Sequence, residues 1–179
     1  MDSFLLRVEE IFRNSKSSDE LFDTFREAID GNVKDIELYK ILLGNPALSS
    51  EEIKMFSEKL AKEIPERQLD TFLWTANVFE NYKEDYYKLQ DAVSYYQRAF
   101  QQEPTSAAPL IRLLNLYNFD LQTPINKMIV DYVEENVKSV NRKSDTFFAL
   151  AELYKRKGDY TTASKCLALG EKAAERENY

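Results

Sequence analysis

The residues that carry out most protein chemistry are nearly missing from this chain. It has no histidine, and Cys166 is its only cysteine. That removes Ser-His-Asp and Cys-His catalysis, histidine metal ligation, thiolate zinc sites and internal disulfides. What remains is carboxylate chemistry. Glu9-Glu10, Glu51-Glu52 and Glu134-Glu135 are adjacent pairs, but neighbours on a helix do not face each other, so each pair reads as solvated charge. Asp30-Gly31-Asn32 begins like a calcium loop, yet the later ligands and closing glutamate do not follow at the required spacing. No glycine-rich phosphate loop occurs. Lys155-Arg156-Lys157 is the only dense basic run and suits a solvated helix C-terminus. The reading is therefore non-enzymatic, with no metal and no cofactor, and carboxylate chemistry in a groove is the one enzymatic alternative.

The elements that would position any site are helices. Of 179 residues, 44% are apolar and 31% charged, and only four are glycine and five proline, a composition for an all-α globular chain. A chain this long buries about 70% of its unfolded surface, so it needs no disulfide or metal to fold. The net charge of −7 is uneven: 15 acids against 10 bases in residues 1–68, six against three in 69–106, and ten against 11 in 107–179. An acidic surface disfavours nonspecific contact with nucleic acid or anionic membrane. No run of 18 apolar residues occurs, and the start MDSFLLRVEE lacks a basic region followed by an apolar one. The expected location is cytoplasmic.

A 3.6-residue apolar period runs almost throughout, and breakers cut it into about ten helices. Phe4, Leu5, Val8, Ile11 and Phe12 form the first stripe. Ser18 is placed to cap the second helix, which Gly31 stops. A third helix is expected from about Val33 to Leu43, and Ser49 with Glu52 makes a capping box for a fourth, closed by Pro65. Further helices are expected at about Leu69–Asn81, Tyr87–Gln102, Ala107–Asn118, Pro124–Val140, Asp145–Lys157 and Tyr160–Arg176. These divide into a hairpin (1–32) and four helix pairs, 33–68, 69–106, 107–143 and 144–179, in one continuous domain.

Aligning the pairs exposes a repeat. Phe72, Ala76 and Phe79 match Leu110, Leu114 and Tyr117, then Phe147, Ala151 and Tyr154, in steps of 38 and 37 residues. The second helices match as Ala92, Tyr96 and Ala99, then Asn126, Val130 and Val133, then Ala163, Leu167 and Gly170. Such a period belongs to stacked helical hairpins. The last pair, with Leu150-Ala151-x-x-Tyr154 and Ala163-x-x-x-Leu167, resembles the tetratricopeptide repeat family, as does 69–106 with its Pro104 and a turn four residues longer. Residues 107–143 depart from the motif at Leu114, Asn126 and Val133, and 33–68 is degenerate. The resemblance implies a right-handed α-solenoid. Small residues would allow close crossing, with Tyr154 and Leu167 filling grooves and leucine at Ala151 or Ala163 overpacking by about 1–3 kcal/mol.

The resemblance also implies a concave groove, lined by the first helix of each pair, that binds a peptide or protein segment. Its implied residues are Leu73, Asn77, Glu80, Asn81, Ile111, Asn115, Asn118, Phe148, Glu152, Lys155 and Arg156. Asn77 and Asn115 would clamp a peptide backbone, since an amide both donates and accepts. A clamp for a C-terminal carboxylate is not expected, because Leu73 and Ile111 stand where bases would be. Trp74, Tyr82, Tyr86, Tyr87 and Tyr95 exceed the needs of a core stripe. Either they line a partner surface, or the longer turn folds back and buries them, which is the simpler expectation. Cys166, Leu169 and Ala173 would leave an apolar end on the last helix, calling for a further helix, a second subunit or a partner. The function expected is an adaptor or regulatory scaffold; the alternative is an oligomerisation module packing through its terminal helices.

Overall fold

A computed structural model describes residues 3–82 and 85–177. Among them are ten α-helices and no strand. They are α1 (Ser3–Asn14), α2 (Ser18–Asp30), α3 (Ile36–Leu43), α4 (Ser50–Glu63), α5 (Gln68–Glu80), α6 (Tyr86–Gln102), α7 (Ala108–Asn115), α8 (Pro124–Asn136), α9 (Lys143–Arg156) and α10 (Tyr160–Glu177). The first helices form a row in which α1 meets α3, α3 meets α5, and α7 meets α9; α5 pairs with α6 and α9 with α10. One apolar core runs through the stack, with Phe12, Phe25, Tyr39, Phe56, Phe72, Phe79 and Tyr96 fully buried.

Local chemistry fixes the helix ends, mostly where expected. Ser49 and Glu52 make the reciprocal capping box. The cap of α2 is Ser17 rather than Ser18: its hydroxyl accepts from the Glu20 amide at 3.3 Å. Gly31 caps the end of that helix as expected, but the left-handed residue of the closure is Asn32, with φ of 53°, while Val33 donates back to the Ala28 carbonyl, and a short amide side chain tolerates this geometry. The third helix starts at Ile36, three residues late, because the Asp35 carboxylate caps it. The same closure at the end of α9 uses Gly158 at φ of 81°, where a β-carbon would be strained.

Two buried asparagines clamp turns that propensity alone would leave loose. The Asn45 amide donates to the Phe12 and Ser15 carbonyls at 2.9 and 3.0 Å, tying the α3–α4 turn to the end of α1. Asn126 donates to the Asn118 and Leu121 carbonyls, each at 2.7 Å, and accepts from the Asn118 amide at 3.0 Å. The repeat's small residue is replaced here because the α7–α8 loop folds onto α8. Consequently α7 ends at Asn115, three residues short of the expected bound; α8 ends at Asn136 rather than Val140.

Candidate functional site

The candidate site grows from the inner row of helices. On α5, Leu73, Ala76, Asn77 and Glu80 share one face by their 0, 3, 4, 7 spacing. On α6 the same spacing aligns Leu89, Ala92, Val93 and Tyr96. Between α3, α5 and α7 this leaves a hollow of about 300 Å³ lined by Lys40, Asp70, Leu73, Trp74, Asn77, Tyr96, Ala108 and Arg112. Trp74 is fixed as part of one side: its indole N–H donates to the Lys40 carbonyl at 2.9 Å, and the Lys40 ammonium lies 5.5 Å from its ring centre. A polar cluster forms another part. The Tyr96 hydroxyl donates to Glu80, the Asn77 amide approaches the same hydroxyl, and Arg112 comes within 3.9 Å of Glu80. Burial, with Glu80 beside it, pushes the Tyr96 phenol well above its ordinary pKa, so it stays a neutral donor.

The eleven expected groove residues do not form one groove. Leu73 and Asn77 line this hollow, and Glu80 supports it from its hydrogen bond with Tyr96. Asn81 is exposed beyond α5, Asn115 is exposed, and Ile111 is half-buried; none lines the hollow. Asn118 is taken up by the α7–α8 loop, accepting from the Asp120 and Leu121 amides. Arg156 and Asn118 lie apart from this hollow and line another, of about 280 Å³, with Tyr117, Phe119 and Asp120, and the basic run is not merely solvated. The Arg156 guanidinium sits 3.8 Å from the Phe119 ring centre, and Lys157 lies 5.4 Å from that of Tyr117. These cation–π contacts pin the loop to the end of α9. Sequence reading missed Lys40 and Arg112 as groove residues and placed Trp74 only among the surplus aromatics; Arg112 lies four residues after Ala108, a helical spacing that marks it for the same face.

Phe148, Glu152 and Lys155 belong to a second hollow, of about 350 Å³, between α9 and α10. Its two sides repeat the spacing of the α5 and α6 faces: Phe148, Ala151, Glu152 and Lys155 on α9 stand opposite Tyr160, Ala163, Ser164 and Leu167 on α10. Gly170 has its explanation here, because a β-carbon on it would lie 2.6 Å from the Phe148 ring. Leu167, expected to fill a groove, is 46% exposed instead. The apolar end expected at Cys166, Leu169 and Ala173 is thereby corrected. Cys166 is buried in the core, Ala173 is half-buried, and only Leu169 of the three is exposed. Burial, then Glu134 and Asp159, raises the Cys166 thiol pKa.

The aromatic surplus also resolves. Tyr95 is core, stacked 6.0 Å from Phe79, and its hydroxyl donates to Glu58 at 3.0 Å. Tyr82, Tyr86 and Tyr87 remain exposed, so the turn does not bury them; Lys83 and Glu84 of that turn lie outside the described residues. Among the described residues no cluster of acidic or cysteine side chains is arranged to hold a metal, and no helix is long and apolar enough to cross a membrane.

No protein-family model matches the chain, and no curated protein matches it in sequence. Among solved structures it is similar to MamA, with a TM-score of 0.52 at 14% identity, over 99% of this chain and 98% of that one. The fold is tetratricopeptide-like. A second similar structure, BtubC (BKLC) from P. vanneervenii, has a TM-score of 0.46 at 18% identity, over 97% of this chain and 70% of that one. At 14% identity the likeness to MamA is one of fold, an all-helical repeat of paired helices.

Proposed function

We propose that this chain is a non-enzymatic interaction module that binds a peptide or protein segment across its first helices, as an adaptor or scaffold. The observation that carries the reading is the α3–α5–α7 hollow. It joins apolar Leu73 and Trp74 to the amide of Asn77 and the guanidinium of Arg112, a mixture that suits one apolar anchor and a polar backbone beside it. Arg112 holds Glu80 only at 3.9 Å, which leaves N–H groups to spare for a second acceptor.

The test is selection of peptides from a random displayed library, followed by affinity measurement on an Asn77→Ala/Arg112→Ala double variant. At least a tenfold loss, about 1.4 kcal/mol, is expected. Selected peptides that bind the double variant as tightly as the wild type would remove the hollow as the site.

A further inference from the structure

The α5/α6 and α9/α10 pairs present faces of the same construction but different cover. In the first pair the strip on α6 is closed by α7 and the chain after it, so that Leu89 is 4% and Tyr96 1% exposed. Their counterparts in the last pair, Tyr160 and Leu167, are 67% and 46% exposed. The chain thus shows what fits such a hollow: a helix with leucines on its inner side, as Leu110, Leu113 and Leu114 of α7 are buried.

Charge makes the occupant more specific. Where the α5/α6 face holds α7, Glu80 on α5 faces Arg112. At the corresponding place on α9 stands Lys155, the opposite charge, with Glu152 one turn before it on the same lining where α5 has Asn77, and neither enters an ion pair within 4 Å among the described residues. Phe148, laid against Gly170, leaves the hollow open beside it. We infer that the α9/α10 hollow takes a helix of another protein, aliphatic on its inner face and bearing a carboxylate where α7 bears Arg112. A second copy of this chain offers no aliphatic helical row outside this strip: among the described residues the exposed aliphatic side chains stand singly, Leu6 on α1, Leu121 in the α7–α8 loop, Met128 on α8 and Leu169 on α10, and the rest of its aliphatic rows are buried in its own core.

The experiment uses the full chain and a probe made from its own cover: a hydrocarbon-stapled helix of residues 107–117, as the native sequence and with Arg112→Glu. Fluorescence anisotropy should show the Arg112→Glu peptide binding about fivefold tighter than the native one, the scale of one surface ion pair. Lys155→Glu in the protein should reverse that preference, and Leu167→Glu should remove binding of both peptides. Leu167 is half-exposed, so the variant should melt like wild type; if it does not fold, the Lys155→Glu reversal alone decides. Absence of binding by either peptide would overturn the inference, as would a preference indifferent to residue 155. So would light scattering that finds a dimer dissociated by Leu167→Glu, which would make a second copy the occupant. Trp74 belongs to the other hollow, so its fluorescence should not respond to these peptides.

Discussion

Asn126→Ala puts a small residue where the repeat motif expects one, yet it should destabilise the chain. Asn126 is buried and makes three hydrogen bonds to the α7–α8 loop, two as donor at 2.7 Å and one as acceptor at 3.0 Å. Each contributes about 1 kcal/mol net, and a backbone group left buried without a partner costs more. Alanine returns about 0.5 kcal/mol of helix propensity, so the net loss is about 2–3 kcal/mol. For a chain of this size that lowers Tm by about 5–12 °C. Thermal unfolding followed by circular dichroism at 222 nm measures it, with Lys127→Ala as control. Lys127 is exposed and bonds only to Asp131 one turn away, so its loss should stay within about 0.5 kcal/mol. If Asn126→Ala melts within about 2 °C of wild type, the loop does not depend on the clamp and the explanation of this departure from the motif is wrong.

Other expectations follow from the same geometry. Ala92 is fully enclosed while Ala163 floors the open hollow, so Ala92→Leu should cost about 1–3 kcal/mol in urea unfolding and Ala163→Leu distinctly less; equal losses would mean that Ala163 is as tightly enclosed as Ala92 and the last pair is not open. Cys166 should react with a maleimide roughly 100-fold more slowly in the native chain than in urea, since buried groups react through local opening; equal rates would return it to the surface. Glu58 has its carboxyl pKa lowered, first by the hydrogen bond from Arg98 (2.8 Å for one of the pair) and also by Tyr95. A lowered folded pKa means stability that is present above the unfolded value of about 4.3 and lost as pH falls through the folded one. Glu58→Gln should therefore weaken the fall in urea midpoint below about pH 4; an unchanged acid limb would show that the pair is uncoupled from folding.

Much of the fold was legible because 3.6-residue periodicity and caps are local signals. Ser49 with Glu52, and Gly158 between the last two helices, act where their sequence context places them. The misplaced ends came from side chains that the period does not place. The Asp35 carboxylate caps α3 and delays its start, and the α7–α8 loop shortens α7 through Asn126, eight residues away. The site was legible only in part for the same reason. Helix phase put Leu73, Asn77 and Glu80 together, but it does not say that Lys40 crosses from α3 or that Asn118 and Arg156 are spent on holding a loop. At the last pair, phase identified an apolar strip and missed its direction. Cys166 turns into the core while Tyr160 and Leu167 stay open, which depends on which neighbour each helix face meets.

Trp74 is the only tryptophan in the chain and lies in the α3–α5–α7 hollow, so its indole reports directly on the proposed site. Titrating 15N-labelled protein with a peptide selected from a random library should shift the Trp74 indole N–H resonance together with the amides of Leu73, Asn77 and Arg112. Saturating binding that leaves those four resonances unmoved would contradict the account.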